Sequence, residues 1–509
     1  MHFGPRKSRF TPRMVAVPHI SHAVELRGDN LTVPSLVRAA RRYAPVAVAP
    51  EAVVQVQRSF LALLGRLERG EPVYGLTTGV GALDRCAIPD HEWPAIQVNL
   101  LRSHAAGVGP PAPGDVVRAM MIARVNTLAQ GRSGVRPAVV GELVDMLNRH
   151  ETPRVPMIGS VGASDLAPLA HLGLALIERG VRLEGRDAFA LINGLAFSTG
   201  LGALAVYDAY QTVAASEVAT AMTMVALGSN SSSLEPRALK LHSSSIDSAA
   251  RIRELLDPNA GDGRLREPLS IRCAHEITGA CRSAVANAVD VVETEFNGPG
   301  DNPQIDADGW CTNNSASFHG QHLANTFDSV SASLTSLGVM SERHTARLLA
   351  GEELPRFLIH PDAHAGICSG FMIAQYTAVA LVAELRARAP VAALSMPTCD
   401  NTEDHVSMAA LAARRAAACA EHTAQIVAIE LLCAAQAIDL RGVRMSDELA
   451  AFHHMVRAAV PVLVVDRPPA DDIEIVTRMI RDGLFASRGK PRPAAQLALS
   501  ARYPSVDNR

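Results

Sequence analysis

The chain has few aromatic residues and almost no excess charge. Phe, Trp and Tyr make up 4% of its 509 residues, and 48 Lys and Arg nearly balance 51 Asp and Glu, for a net charge of −3. A nucleic-acid-binding domain would usually have a pI above about 9. β-Sandwiches are rich in aromatic and β-branched residues, whereas abundant Ala, Leu and Arg favour helices. We therefore expect a mostly helical protein without a nucleic-acid partner.

Cysteine pairs and long apolar runs are also lacking. None of the eight cysteines forms a CxxC pair, which excludes a zinc ribbon and a thioredoxin-like motif, and no ligand spacing indicates a metal. No uninterrupted apolar run reaches the ~18 residues of a membrane span, and the N-terminus lacks the apolar core of a signal peptide. We expect a cytoplasmic protein with reduced thiols and no membrane contact. Residues 1–23 are predicted to be a disordered basic tail, with Met14 as an alternative start to Met1.

Small and apolar residues occupy nearly every helical face in five long segments. These segments are 201–229, 281–296, 322–349, 371–389 and 405–440. Helices that are apolar all round are buried, so the sequence predicts a bundle that extends across subunits. Residues 24–200 contain Gly- and Pro-rich turns and are predicted to form a separate N-terminal domain. Residues 201–509 are predicted to form the bundle and a C-terminal helical region.

Nine motifs carry a resemblance to a known family. In chain order they are YGLTTGVG (74–81), NLLRSHAAGVG (99–109), GSVGASDLAPLAHLGLALIERG (159–180), INGLAFSTG (192–200), LSIRC (269–273), SFHGQ (317–321), GVMSER (338–343), TEDHVSM (402–408) and AIDLRG (437–442). Together they resemble the histidine/phenylalanine/tyrosine ammonia-lyase and aminomutase family from about residue 24 to 490. The resemblance implies a mainly α, long-helix bundle of the fumarase/aspartase-like superfamily with a smaller mixed N-terminal domain. It also implies a homotetramer whose sites are built from several subunits.

The resemblance implies an unusual electrophile. In the family, an Ala-Ser-Gly tripeptide cyclises and loses water to form a methylidene-imidazolone (MIO). The family pattern GSVGASGDLAPL appears here without its glycine, so the matching residues are Ala163, Ser164 and Asp165. Closure needs a tightly bent backbone, which glycine permits and a Cβ-bearing residue resists. Asp tolerates unusual backbone angles better than most residues, so the sequence leaves open both an MIO and an unmodified loop.

Four further residues match site positions of the family. Tyr74 matches the phenol that acts as general base, which requires its pKa to fall from about 10. Arg272 matches the arginine that binds the substrate carboxylate, a task suited to its planar fork. Asn193 matches the amide that orients cofactor or substrate, and Phe318, in SFHGQ, matches a substrate-binding position.

The Ser103-His104 pair and Glu403 indicate the substrate. In the family, this pair and the EDHVSM form are typical of histidine-specific members. A histidine and a carboxylate can hydrogen-bond an imidazole that an apolar pocket would reject. We therefore expect an amino-acid substrate, L-histidine before phenylalanine or tyrosine.

Several positions depart from the family pattern. The second family tyrosine is Leu269, which has no proton to give, and the Asn before Phe318 is Ser317. The sequence therefore predicts a lyase that removes ammonia from L-histidine or a related aromatic amino acid. Two alternatives stay open: an MIO-independent enzyme acting on another amino-acid-like substrate in a specialised pathway, and a catalytically silent homologue that binds a ligand.

Overall fold

The computed structural model describes residues 23–257, 265–351 and 353–486. The predicted tail lies outside the described residues except for residue 23, as does the choice between Met1 and Met14. The described residues form sixteen α-helices and six short strands, so the predicted mainly α fold is confirmed.

The helices, in chain order, are α1 (Val33–Arg41), α2 (Pro50–Glu68), α3 (Trp93–His104), α4 (Gly114–Ala129), α5 (Pro137–Asn148), α6 (Leu166–Glu178), α7 (Asp187–Ile192), α8 (Ala196–Leu227), α9 (Ser243–Leu255), α10 (Leu269–Arg272), α11 (Ala274–Asn297), α12 (Gln321–Leu349), α13 (Met372–Arg386), α14 (Ala409–Arg441), α15 (Asp447–Ala459) and α16 (Pro469–Arg481). The strands form three two-stranded sheets: parallel β1 (Val24–Leu26) with β2 (Val46–Val48), antiparallel β3 (Val108–Pro111) with β4 (Pro156–Ile158), and antiparallel β5 (Gln304–Ile305) with β6 (Cys311–Thr312).

Four long helices, α8, α11, α12 and α14, form the centre of the molecule. They contain 24 to 33 residues each, which corresponds to about 36–50 Å at 1.5 Å per residue. α14 packs against α8 and α12, and α8 also packs against α4 and α11. Asp187–Leu227 and α14 are long and apolar enough to cross a membrane, but the protein itself buries 100% and 83% of their most apolar windows. Their composition is that of core helices.

Small residues let these helices approach closely. A Cβ added to Gly202 of α8 would lie 2.0 Å from the ring of Phe327 on α12, so glycine is what admits the aromatic ring. α8 and α14 both end at glycines with left-handed backbone angles, Gly228 (φ 62°) and Gly442 (φ 60°). Glycine is the usual residue at such helix ends because it has no Cβ.

The helix predicted over 405–440 begins later, at Ala409. Met408 has a left-handed φ of 58°, and its backbone amide donates to the carbonyl of Val161 at 2.7 Å. Residues 405–408 are therefore held against the 159–165 loop instead of continuing the helix. The prediction was wrong for these residues because their apolar pattern does not record this contact.

The N-terminal elements and the bundle share one hydrophobic core, with buried members from Val24 to Phe485. The boundary expected at residue 200 falls inside α8. The elements before α8 place the site, since β4 leads into the 159–165 loop and α6 follows it. The division at residue 200 stays a prediction.

Candidate active site

The 159–165 loop is held by segments distant in sequence. Gly162 has a φ of +81°, and a Cβ there would lie 2.2 Å from the Ser407 hydroxyl, so a side chain cannot be accommodated. The Gly162 carbonyl accepts hydrogen bonds from the Gly320 amide at 3.0 Å and the Ser407 hydroxyl at 2.7 Å. The loop therefore lies between the chain before α12 and the chain before α14.

Ser164 sits at the centre of the predicted site with an uncommon backbone conformation. Its φ is +59°, a left-handed value that few non-glycine residues adopt. Its amide donates to the Phe318 carbonyl at 3.0 Å, and its hydroxyl donates to the side-chain oxygen of Asn193. Asn193 in turn donates from Nδ2 to the Asn302 carbonyl at 2.5 Å. The structure thus joins Ala163-Ser164, Asn193 and Phe318.

Asp165 is fully buried and anchored by its carboxylate. Its oxygens accept from the Ser160 hydroxyl at 2.6 Å and from the hydroxyl and amide of Ser198 at 2.7 and 2.8 Å. Burial raises the pKa of Asp165, and these hydrogen bonds oppose that rise. Asp165 immediately precedes α6, as the aspartate of the family pattern precedes Leu-Ala-Pro-Leu. The loop is therefore one residue short, and Asp165 keeps the aspartate's place.

Tyr74 approaches this loop through Phe189. The two rings make an edge contact with centroids 5.5 Å apart, and the Phe189 carbonyl accepts from the Asn193 amide at 3.1 Å. The phenol oxygen of Tyr74 accepts from the Gly81 amide at 2.6 Å. Burial raises the pKa of Tyr74, the Gly81 bond lowers it, and the charge of Glu403 raises it further.

Glu403 faces the same region beside two histidines. Burial raises the pKa of Glu403, and His319 partly opposes this. The Nε2 of His319 lies 3.2 Å from the Nδ1 of His405, and the backbone of His319 bridges to that of Ala163. In the described ranges, no group of three or more His, Cys, Asp or Glu side chains could hold a metal ion.

His104 ends α3, which packs on α6 and α7. Its Nδ1 lies 2.8 Å from the Leu100 carbonyl and 3.0 Å from the Ser103 hydroxyl. Because a carbonyl only accepts, Nδ1 carries the proton and Nε2 remains an acceptor. Burial lowers the pKa of His104, which favours this neutral form.

Arg272 lies at the other end of the molecule. α10, which carries it, packs against α12 near His344, whose Nε2 contacts the Ser270 carbonyl. Gly320, which contacts the 159–165 loop, precedes His344 by 24 residues of continuous helix, or about 36 Å. One chain therefore does not bring Arg272 to Tyr74. Leu269 is 63% exposed, and Ser317 accepts a hydrogen bond from Gln304 at 2.9 Å.

The Ala163-Ser164-Asp165 segment fits ring closure to an MIO. Closure joins the Asp165 nitrogen to the Ala163 carbonyl carbon, so it uses backbone atoms and leaves the Asp165 carboxylate bonds intact. The left-handed φ of Ser164 supplies a bend, and Asn193 holds the hydroxyl that must leave. The bond that closure removes is the one from the Asp165 amide to the Gly194 carbonyl at 2.7 Å, worth about 1 kcal/mol.

Sequence reasoning missed several residues that build the site. Ser160 and Ser198 hold Asp165, and both lie inside recognised motifs, so the motifs contained that signal. His319 also lies inside a motif. Phe189 and Glu295 lie outside every motif and carried no signal. Burial and the charge of Asp165 raise the pKa of Glu295 to about 7.

The long-helix bundle, with a phenol and a Gly-Ala-Ser loop converging on one site, defines an ammonia-lyase or aminomutase architecture. The chain matches the family model described as aromatic amino acid lyase over residues 31–182 and 178–458. It is 40% identical over 494 residues to a histidine ammonia-lyase of Gloeobacter violaceus, covering 90% of this chain and 96% of the relative.

Two further relatives have the same extent. An MIO-dependent tyrosine 2,3-aminomutase of Streptomyces globisporus is 36% identical over 517 residues, covering 91% of this chain and 95% of the relative. The solved structure of histidine ammonia-lyase from Trypanosoma cruzi has a TM-score of 0.83 at 33% identity, covering 91% of this chain and 94% of that one. The chain belongs to the aromatic amino acid lyase family, which confirms the family predicted from the motifs.

Proposed function

We propose that this protein eliminates ammonia from L-histidine or a related aromatic amino acid to give the α,β-unsaturated acid. The observation that carries the proposal is the convergence of Tyr74, the 163–165 loop, Asn193 and Glu403 in one region. Family membership and relatives named histidine ammonia-lyase support it. A cytoplasmic location is part of the proposal, supported by eight unpaired cysteines.

Tyr74 acts as the base that removes the β-proton. The Gly81 amide points at its phenol oxygen, so it stabilises the phenolate that forms when Tyr74 has lost its own proton. Ala163, Ser164 and Asp165 would form the MIO, which would supply an electrophile for the substrate amine or ring. Asn193 holds the Ser164 hydroxyl in place before closure.

Glu403 and His104 orient the substrate ring. A carboxylate accepts from an imidazole N–H, and the free Nε2 of His104 is a second acceptor. Both groups are partly buried, so they favour a ring that can donate hydrogen bonds. This arrangement suits L-histidine better than L-phenylalanine.

Arg272 binds the substrate carboxylate from a neighbouring copy. Its half-buried guanidinium forms no ion pair with any residue that the structure describes, and it lies far from Tyr74 of its own chain. A homotetramer whose sites combine several subunits places Arg272 where the reaction needs it.

The test is turnover of L-histidine by the purified protein, followed by the near-ultraviolet absorbance of the unsaturated product. Tyr74→Phe is the control for specific turnover. A peptide map across residues 154–182 reports the MIO as a loss of two waters at Ala163-Ser164-Asp165. Turnover together with that loss supports the full proposal. The proposal is contradicted if the protein consumes neither L-histidine nor another aromatic amino acid.

A second candidate is an MIO-independent enzyme for another amino-acid-like substrate. Two observations favour it: the Asp165 amide and carboxylate are both fully bonded, and Leu269 offers no proton in place of the family tyrosine. It predicts an unmodified 154–182 peptide with turnover of a different substrate. A catalytically silent homologue would instead show saturable binding without turnover.

A further inference from the structure

We propose that His344 and Glu430 form a buried brace that positions α10 and, with it, Arg272. The brace consists of the His344 ring, the Glu430 carboxylate and the Ser270 carbonyl. Its effect on ligand binding rests on the proposed role of Arg272 as the carboxylate-binding residue. The brace itself rests on contacts within this chain.

The brace connects three helices at the end of the bundle opposite the 159–165 loop. The Nδ1 of His344 on α12 lies 2.7 Å from Oε1 of Glu430 on α14, and its Nε2 lies 2.8 Å from the Ser270 carbonyl of α10. Thr223 of α8 donates to the same Glu430 oxygen at 2.9 Å. The side chains of His344 and Glu430 are both 0% exposed.

Each ring nitrogen of His344 contacts an oxygen atom, and each of these contacts needs a proton between the nitrogen and the oxygen. A carbonyl only accepts, so Nε2 carries a hydrogen, and the short contact to Glu430 requires a second proton on Nδ1 or on the carboxyl group. Burial lowers the pKa of His344, but the charge and hydrogen bond of Glu430 outweigh it and the pKa is raised. An imidazolium paired with a carboxylate therefore makes directional, charge-assisted bonds to α10 and α14.

α10 is a single turn of four residues, Leu269–Arg272, which only Cys273 separates from α11. It packs against α11 and α12, and because one turn forms few hydrogen bonds of its own, its orientation depends on such neighbours. Leu269 is exposed and Ile271 is the one buried side chain of the turn. The carbonyls at the end of a helix lack partners within it, and His344 supplies one to Ser270, two residues before Arg272.

The brace is not explained by a net contribution of the His344–Glu430 pair to the free energy of folding. A buried ion pair often contributes no more than apolar residues of the same volume, because both charges lose their hydration. Its directional bonds, however, hold Ser270 in one place relative to α12 and α14. Arg272 then keeps the orientation in which a planar guanidinium can grip a carboxylate with two bonds.

The experiment uses the intact oligomer and two readouts. Hydrogen exchange, measured by mass spectrometry on peptides spanning 265–277, reports the order of α10. Dissociation constants for L-histidine and for histamine, which lacks the carboxylate, report how strongly Arg272 binds the carboxylate.

The variants must remove the brace without leaving a buried charge unpaired. Because His344→Ala leaves Glu430 buried without its partner, the double variant His344→Leu with Glu430→Leu is used, and it is expected to fold. His453→Ala, which breaks the partly buried pair of His453 with Asp439 at 2.9 Å, is the control.

We expect the double variant to exchange the α10 amides at least tenfold faster and to bind L-histidine about tenfold more weakly, with histamine binding unchanged. The control should change neither. Exchange at the wild-type rate overturns the brace, and an equal loss of L-histidine and histamine overturns the positioning of Arg272. If the wild type does not bind L-histidine, the proposed function is wrong, and the exchange rates alone decide the brace.

Discussion

The backbone amide of Gly81 donates a hydrogen bond to the phenol oxygen of Tyr74 at 2.6 Å. This bond favours the phenolate, while burial and the nearby Glu403 charge favour the phenol and raise the pKa of Tyr74 overall. The base is therefore mostly protonated in the free protein at neutral pH. Binding of a cationic substrate ammonium group beside it would favour the phenolate.

Turnover should accordingly rise with pH. Because the pKa of Tyr74 is raised, the phenol form dominates at neutral pH. As long as the pH is below that pKa, each increase of one pH unit raises the phenolate fraction about tenfold, so kcat/KM should increase towards alkaline pH. Tyr74→Phe should lower turnover about 10²- to 10⁴-fold. Tyr43→Phe, which alters an exposed tyrosine packed against His150, should not. A flat pH profile would argue against Tyr74 as the base.

Inserting one glycine between Ser164 and Asp165 should increase MIO formation. The insertion places a residue without a Cβ at the third position of the ring. Asp165 can then keep its hydrogen bonds with Ser160 and Ser198 without entering the ring. The fraction of the 154–182 peptide that has lost two waters should rise, as measured by mass. A glycine inserted after Gly180, a turn with open space around it, is the control. An unchanged fraction would mean that loop length does not limit closure.

Replacing Glu403 should change substrate preference. Glu403→Ala removes the acceptor for the imidazole N–H, so kcat/KM for L-histidine should fall about 10²-fold relative to L-phenylalanine. Asp404→Asn alters the exposed neighbouring carboxylate and should leave the ratio unchanged. Parallel losses for both substrates would assign Glu403 a structural role.

Glu295 should make the protein less stable as the pH rises. Its pKa of about 7 in the folded protein lies above the ordinary value of 4.5 because of burial and the charge of Asp165. Between these values the folded state holds a proton that the unfolded chain has released, so stability decreases with increasing pH. The measurement is the difference between the unfolding temperatures at pH 5 and pH 7.5, at fixed protein concentration. This difference should be smaller for Glu295→Gln than for the wild type. Glu254→Gln, at an exposed site, should retain the wild-type difference.

Two inactive variants should complement each other. Tyr74→Phe and Arg272→Ala remove groups that lie far apart in one chain, so mixed oligomers contain some sites with both groups intact. Dissociating and reassembling the two proteins together should restore part of the activity, whereas reassembling each alone should not. Complete absence of restored activity would place Arg272 outside the site.

The sequence predicted the long helices because apolar residues on every face have few explanations other than burial. The motifs also contain Asn193 and Phe318, which contact Ser164 in the folded chain, while the roles of these residues in a site stay predictions. The sequence did not predict that residues 405–408 stay outside α14, because the Met408–Val161 hydrogen bond joins distant segments. Nor could it place Arg272, whose position depends on the length of α12, or pair His344 with Glu430, which are 86 residues apart.

α12 contacts the 159–165 loop through the residues before its first turn and supports α10 near its last turns. A helix does not stretch, so the two halves of the proposed site stay separated within each chain. Protein concentration then becomes a control on activity, because dilution that separates the copies should stop turnover. A defective copy made alongside a normal one would likewise disable sites that the normal copy helps to form.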